Sequence, residues 1–136
     1  MNGANAYSQY RQTAVQTSSP EKLLLMLYDG AIKFLNLAIS AIEENDTEKR
    51  HNNLVRVQAI MEELMGTLNM DYEISKHLDA LYEYFNRRLL EANIKNDKEI
   101  IQEVLGMVGE LRDTWFEASK APKPTPVAVG KVNVSG

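Results

Sequence analysis

Between residues 21 and 121 the chain repeats apolar residues at spacings of three and four, and this stretch contains no proline. Such spacing places apolar side chains on one face of an α-helix, and the abundance of Leu, Ala, Glu, Lys and Met favours continuous helix. Short polar turns separate four such stretches, at Asn45-Asp46-Thr47, Asn69-Met70-Asp71 and Asn96-Asp97. The pattern therefore predicts four helices, at about 20–44, 48–68, 73–94 and 98–119.

The start of the first helix is indicated by Ser18-Ser19-Pro20-Glu21. A serine hydroxyl accepts a hydrogen bond from the open backbone N–H groups, and proline at the first helical position has no N–H to leave unpaired. Ser18 with Glu21 also fits a capping box, so either serine is a candidate N-cap.

Four helices of this length, joined by turns of about two to four residues, pack as antiparallel neighbours. The expected fold is all-α, an antiparallel up-down-up-down four-helix bundle at residues 18–119. We expect residues 1–17 to form a mobile N-terminal segment that caps a groove. The tail, 120–136, carries three lysines, no acidic residue and a Pro-Lys-Pro-Thr-Pro segment, which favours flexible, disordered chain. The alternating valines of Val127–Val134 leave open a strand that pairs with another chain.

The helices carry more apolar residues than one bundle seam needs, because further apolar positions lie outside the main stripe of each. These second stripes contain Leu25, Ile32 and Ile39 in the first helix, Val55 and Ile60 in the second, Tyr82, Tyr84 and Leu90 in the third, and Ile101, Leu105, Val108 and Phe116 in the fourth. Stripes of this length imply burial against another element, and they favour a protein-binding groove over a thick core or scattered surface residues. A second copy of the chain is the alternative occupant.

The sequence predicts a partner-binding groove that accepts a helix with apolar anchors. Its predicted residues are Leu25, Ile32, Ile60, Ile101, Leu105 and Val108. Ile101→Asp or Val108→Asp is expected to weaken binding while the fold is retained. Tyr7, Tyr10 and Val15 are the spare apolar groups that could cover this groove in cis.

Four glycines, at positions 30, 66, 106 and 109, lie inside the predicted helices, where glycine costs about 1 kcal/mol relative to alanine. Close helix packing is the interpretation favoured for Gly30 and Gly66. For Gly106 and Gly109, packing and room for a docked peptide stay open.

Composition excludes several classes of protein. The 136 residues fit one domain, and the absence of cysteine removes disulfides, thiolate metal sites and cysteine nucleophiles. A formal net charge of −4 argues against non-specific nucleic-acid binding. The longest apolar run, Leu23–Tyr28, is far shorter than the roughly 20 residues that span a bilayer, and residues 1–13 lack a signal-peptide run. We therefore expect a cytoplasmic protein without membrane insertion.

Catalytic and metal motifs are weak. A di-iron bundle needs two Glu-x-x-His motifs, and only Glu48 with His51 fits, since Glu73 and His77 have the wrong spacing. The neighbourhood of His77 lacks the lysine expected beside a phosphorylated histidine. Phosphate loops and nucleophile elbows do not occur. The sequence predicts no enzyme, no cofactor and no metal site, and the di-iron enzyme stays a rival hypothesis.

Several segments in order along the chain carry a family resemblance: Thr17–Leu23 with Leu25–Leu35, Asn53–Leu64, Leu81–Asn93 and Leu111–Trp115, preceded by the tyrosine motif Ala6-Tyr7-Ser8-Gln9-Tyr10. Together they resemble FliS-type flagellar secretion chaperones. The resemblance covers about residues 6 to 118, and the tail after Lys120 matches no family motif.

The resemblance implies a cytoplasmic four-helix chaperone that binds the disordered C-terminal segment of flagellin in apolar grooves. Such a protein prevents premature polymerisation and delivers flagellin to the flagellar type III export apparatus. The implied partners are the flagellin C-terminal segment, the flagellar export gate and other flagellar regulators, and the chain itself is expected to be a monomer or weak homodimer. By motif match, Tyr7 and Tyr10 inherit roles in covering part of the groove and in contacting the export gate. A stable structural homodimer is the rival from another class.

Overall fold

The computed structural model describes residues 19–120. This part of the chain forms four α-helices, α1 (Pro20–Glu43), α2 (Thr47–Gly66), α3 (Glu73–Lys95) and α4 (Lys98–Ala118). The all-α, four-helix prediction is confirmed, and every predicted boundary lies within two residues of the observed one. The predictions for residues 1–17 and for the tail beyond Lys120 lie outside the described residues, as does Ser18.

Three of the helices begin at a side chain that caps the open backbone N–H groups of the first turn. The N-caps of α1, α2 and α4 are Ser19, Asp46 and Asp97. The turns before α2 and α4 each contain an asparagine with positive φ, 58° at Asn45 and 55° at Asn96. Asparagine tolerates this left-handed conformation better than most residues, so these turns stop one helix where the next is capped.

Each helix packs against two neighbours, so that α1, α2, α3 and α4 form a closed ring. Lys98, at the start of α4, lies 3.3 Å from the Glu43 carboxylate at the end of α1. Arg112, towards the end of α4, lies 2.9 Å from Asp29 in the first half of α1. These contacts join the start of one helix to the end of the other, which is the pattern of an antiparallel pair.

The core lies on the axis of this ring and contains apolar side chains from all four helices. Three residues that the sequence placed outside the central seam lie in this core, because Ile60, Ile101 and Val108 have no exposed surface. A helix with two neighbours needs an inward face wider than one stripe, so the consecutive residues Ile100 and Ile101 both point inward. The prediction of an outer stripe was wrong at these positions, and it was also wrong at Tyr82, which is 1% exposed.

Helix α1 is long and apolar enough, by length and composition alone, to cross a membrane, with a mean hydropathy of 1.5 over 18 residues. Half of that window is buried against the other helices. A core helix of a soluble protein has the same character, and the buried residues of α1 are those expected of one. They are Leu24, Leu27, Tyr28, Gly30, Ala31, Phe34, Leu35, Ala38 and Ala41.

A buried hydrogen-bonded cluster joins α1, α3 and α4. The hydroxyl groups of Tyr28 and Tyr82 are hydrogen-bonded to each other, and the Trp115 indole N–H donates to Tyr28 Oη at 2.9 Å. Burial raises the pKa of both tyrosines, that of Tyr82 to about 12, so both stay neutral at physiological pH. The cluster satisfies polar groups that would otherwise be costly inside the core, and it fixes the end of α4 against α1.

Candidate protein-binding groove

One edge of α1 faces α4, and two ion pairs mark its position. The carboxylate of Asp29 accepts a hydrogen bond from Arg112 Nε at 2.9 Å. Fourteen residues further along α1, Glu43 accepts from Lys98 Nζ at 3.3 Å. At a rise of 1.5 Å per residue, the two pairs are about 21 Å apart along the helix. The edge between them is therefore about four helical turns long.

Apolar side chains occupy this edge of α1. Leu25, Ile32 and Ile39 recur every seven residues and project to the same side of the helix, close to Asp29 and Glu43. All three are partly exposed, and Ile32 and Ile39 also pack against the buried core. They are neither fully in the core nor free in solvent, which is the usual state of a residue at the edge of a contact surface.

The facing edge of α4 combines apolar residues with a glycine. Leu105 and Gly109 lie between Lys98 and Arg112 on this edge, and Phe116 lies one turn beyond Arg112. Leu105 is partly exposed while it packs against the core, and Phe116 is 38% exposed. We call the surface formed by Leu25, Ile32 and Ile39 of α1 with Leu105, Gly109 and Phe116 of α4 the α1/α4 groove.

Gly109 leaves open space in the groove. A Cβ atom built on Gly109 meets no heavy atom within 4 Å, and the same holds for Gly106 and Gly66. Close packing therefore does not explain these three glycines, whereas Gly30 is buried in α1 as expected for a packing position. Gly109 lies about level with Ile32 across the groove, so its missing side chain leaves a recess there.

The end of the groove at Phe116 is electrostatically distinct. The Arg112 guanidinium and the Lys120 ammonium group lie 5.1 Å and 4.5 Å from the centroid of the Phe116 ring. Two cations thus lie close to one partly exposed aromatic face. The hydrogen bond to Asp29 raises the pKa of Arg112, so the guanidinium stays charged at this end.

The other seam that borders α4 carries a cluster of polar side chains near the start of that helix. Between α3 and α4, the Tyr84 hydroxyl donates to Glu103 at 2.6 Å, and Arg88 contacts Glu103 and Glu91 at 2.9 Å and 2.6 Å. The hydrogen bond from Tyr84 lowers the pKa of Glu103, which keeps this carboxylate ionised beside Arg88. The α3/α4 seam therefore presents a charged network around Glu103, while the partly buried side chains of Leu81, Met107 and Leu111 lie on the part of it nearer the end of α4.

A second apolar surface lies on the opposite side of the ring, between α2 and α3. Val55, Leu90 and Ile94 are 41%, 54% and 76% exposed. The side chains of His51 and Asn93 meet across the same seam, with 2.9 Å between Nδ1 and Nδ2. The sequence singled out Val55 and Leu90 but missed Ile94, although its spacing of four from Leu90 was a usable signal.

The predicted groove residues divide into three sets. Leu25, Ile32 and Leu105 lie together on the α1/α4 groove. Ile101 and Val108 lie on the same side of α4 but below the surface, where they form the floor of the groove. The remaining residue, Ile60, is buried in α2 away from this seam, and Tyr7 and Tyr10 lie outside the described residues.

The chain is similar to proteins of one family over most of its length. The family model described as flagellar protein FliS matches residues 3–122. The flagellar secretion chaperone FliS of Bacillus subtilis is 44% identical over 119 residues, which is 88% of this chain and 90% of that protein. The proteins of the same name from Salmonella typhimurium and Campylobacter jejuni are each 35% identical, over 86% and 82% of this chain and 90% and 89% of their own lengths.

Proposed function

We propose, from the premise that this chain belongs to the FliS family of flagellar secretion chaperones, that it holds the C-terminal segment of flagellin in the α1/α4 groove. Bound in this way, flagellin cannot polymerise before it reaches the flagellar export apparatus. The chain then delivers it there. In this proposal the chain is a binding protein without a catalytic residue, cofactor or metal, and it acts in the cytoplasm as a monomer or weak homodimer.

The observation that carries the proposal is the apolar surface between the two ion pairs that join α1 and α4. Ile32, Ile39 and Leu105 are partly exposed there, and Gly109 leaves room beside them. The distance of about 21 Å matches about four turns of a client helix. A helix with apolar residues at i, i+3, i+4 and i+7 would bury three or four anchors on this surface.

We propose different roles for the predicted groove residues, according to how deeply each one is buried. Leu25, Ile32 and Leu105 contact the client directly. Ile101 and Val108 shape the floor, and a client reaches them only if α1 and α4 separate. Ile60 supports the fold from α2.

The N-terminal segment joins the bundle at Ser19, next to the Leu25 end of the groove. We propose that Tyr7 and Tyr10 cover this end and take part in contacts at the export gate. Other flagellar regulators would compete for the same surfaces. The client is disordered before it binds, so ordering it costs conformational entropy, and an apolar surface of several turns offsets that cost.

Co-purification tests the proposed function. The full chain is expressed with intact flagellin, and separately with flagellin that lacks its C-terminal segment. We expect a stable complex with intact flagellin and none with the truncated form. Equal recovery of both forms would contradict the proposal, because the C-terminal segment would then not be what the chaperone binds.

A further inference from the structure

We propose that the C-terminal tail of this chain, residues 121–136, docks along the α4 side of the α1/α4 groove as far as Leu105 and Ile39, beside the Leu25 edge that we assign to Tyr7 and Tyr10, and covers this part of the groove while no client is bound. If the proposed function is correct, the docked tail competes with flagellin for the groove. The docking itself does not depend on the proposed function. The tail begins after Lys120, at the end of α4 that lies beside Phe116 and the first turn of the groove.

The two seams that border α4 are lined by different side chains. The network of Tyr84, Arg88 and Glu103 covers the part of the α3/α4 seam near the start of α4, and the partly buried side chains of Leu81, Met107 and Leu111 border the rest of it. Between its ion pairs the α1/α4 groove contains Ile32, Ile39 and Leu105 beside the exposed Asn36, and it includes the recess at Gly109. The tail carries valines at positions 127, 129, 132 and 134, which need an apolar surface to be buried. The α1/α4 groove supplies such a surface between two helices of net negative charge, whereas the four acidic side chains of α3 are balanced by four basic ones.

The length of the tail fits the groove. An extended chain advances about 3.3 Å per residue, so Val127 lies up to about 23 Å from Lys120. Leu105 lies fifteen residues before Lys120 on α4, which is about 22 Å along the helix. If the tail runs back along α4, Val127 and Val129 therefore come level with Leu105 and Ile39. The proline-containing part, residues 122–126, passes Phe116 and the recess at Gly109.

Charge complementarity favours the same placement. Helix α4 carries five acidic and two basic side chains, and α1 carries three acidic and two basic ones. The tail carries Lys123 and Lys131 and no acidic side chain. A basic strand beside two helices of net negative charge is attracted to them, and the attraction is weakened by salt. Lys120, which leads into the tail, already lies over the Phe116 ring at 4.5 Å.

A spin label tests the docking directly. The chain has no cysteine, so Ala128→Cys gives a single site for a nitroxide label in the full-length protein. We expect the label to broaden the amide resonances of Ile32, Ile39, Leu105 and Gly109 while those of Val55 and Leu90 stay sharp. Weak, uniform broadening, or broadening centred on Leu90, would overturn the proposal.

Two controls distinguish the C-terminal tail from the N-terminal segment and from a second copy of the chain as the occupant of the groove. A label at Ala6→Cys reports on the N-terminal segment, and groove broadening from that label alone would assign the groove to residues 1–18 instead. Mixing labelled, isotope-free chain with unlabelled ¹⁵N chain detects a second copy, and broadening in that mixture equal to that in the labelled ¹⁵N chain would assign the groove to a dimer. Either result overturns the proposal.

The valines provide the matched variant. Val127→Ser with Val129→Ser, in the Ala128→Cys background, should remove the groove broadening, and persistence of the broadening would overturn docking through these side chains. If the tail fills the groove in about nine molecules of ten, the same double variant binds a flagellin C-terminal peptide about tenfold more tightly than the parent chain. If the label broadens the groove resonances but the flagellin peptide does not bind, the docking stands and the proposed function is contradicted. If the peptide binds but the broadening is uniform, the docking is contradicted and the proposed function stands.

Discussion

Arg112 of α4 donates a hydrogen bond from Nε to the carboxylate of Asp29 of α1 at 2.9 Å, between the levels of Leu25 and Ile32 in the groove. Their side chains are 30% and 52% exposed, so water screens the attraction between them. We expect Asp29→Asn to lower the free energy of unfolding by less than about 1 kcal/mol, measured by urea denaturation with Trp115 fluorescence as the signal. A loss of about 3 kcal/mol or more would contradict this and would indicate a desolvated pair.

Because Tyr28 and Tyr82 are buried, we expect the folded protein to lose stability at high pH. In the unfolded chain tyrosine titrates near pH 10, whereas burial raises the pKa of Tyr28 and Tyr82 in the folded protein, the latter to about 12. The stabilisation by the neutral pair is complete below about pH 10. Above it the unfolded chain loses protons first, so the free energy of unfolding falls by up to about 1.4 kcal/mol per pH unit for each group.

Urea denaturation at several pH values between 8 and 11.5 measures this fall. The double variant Tyr28→Phe with Tyr82→Phe lacks both titrating groups and is expected to lose less stability over the same interval. Equal slopes for the variant and the parent chain would show that these two hydroxyl groups are not what makes the stability depend on pH.

Ile101 and Leu105 lie one turn apart on the same side of α4, but their side chains are buried to different extents. Ile101 is fully buried, so a carboxylate there lacks both water and a partner. We expect Ile101→Asp to cost more than about 3 kcal/mol and to unfold much of the protein, whereas Leu105→Asp costs about 1 kcal/mol. Thermal melting followed by circular dichroism distinguishes them. The burial of Ile101 therefore argues against the sequence-based expectation that Ile101→Asp retains the fold, and equal melting temperatures for the two variants would contradict this conclusion.

Gly109 and Gly106 form a matched pair, because each is an open helical position on α4 and only Gly109 lies on the groove. Leucine at either position replaces a poor helix former, so both variants should be more stable by up to about 1 kcal/mol. Gly109→Leu fills the recess beside Ile32, and we expect it to weaken flagellin binding at least about tenfold, while Gly106→Leu leaves binding unchanged. Isothermal titration calorimetry with a flagellin C-terminal peptide checks both, and equal affinities would remove Gly109 from the site.

The helices could be predicted from the sequence because their signals are local. Spacing of apolar residues, the cap at Ser19 and the asparagines before Asp46 and Asp97 act within a few residues. The width of each core face could not be predicted, because it depends on how many neighbours a helix has. The burial of Tyr28 similarly depends on partners 54 and 87 residues away in the sequence.

The same distinction between local and long-range features applies to the candidate site. Leu25, Ile32 and Leu105 stood out by spacing alone, and they lie on one surface. The ion pairs that cross this surface join residues 83 and 55 positions apart, Asp29 with Arg112 and Glu43 with Lys98. No periodic pattern brings such residues together, so the ends of the groove and the place of Gly109 within it become visible only in the folded bundle.

We propose that flagellin binds between α1 and α4 and not on the opposite apolar surface between α2 and α3. Isothermal titration calorimetry of a flagellin C-terminal peptide tests it with two full-length double variants, Ile32→Lys with Leu105→Lys and Val55→Lys with Leu90→Lys, each confirmed by circular dichroism to be folded. We expect the first variant to lose at least about tenfold in affinity, or about 1.4 kcal/mol, while the second binds like the parent chain. Full affinity in the first variant with loss in the second would contradict it.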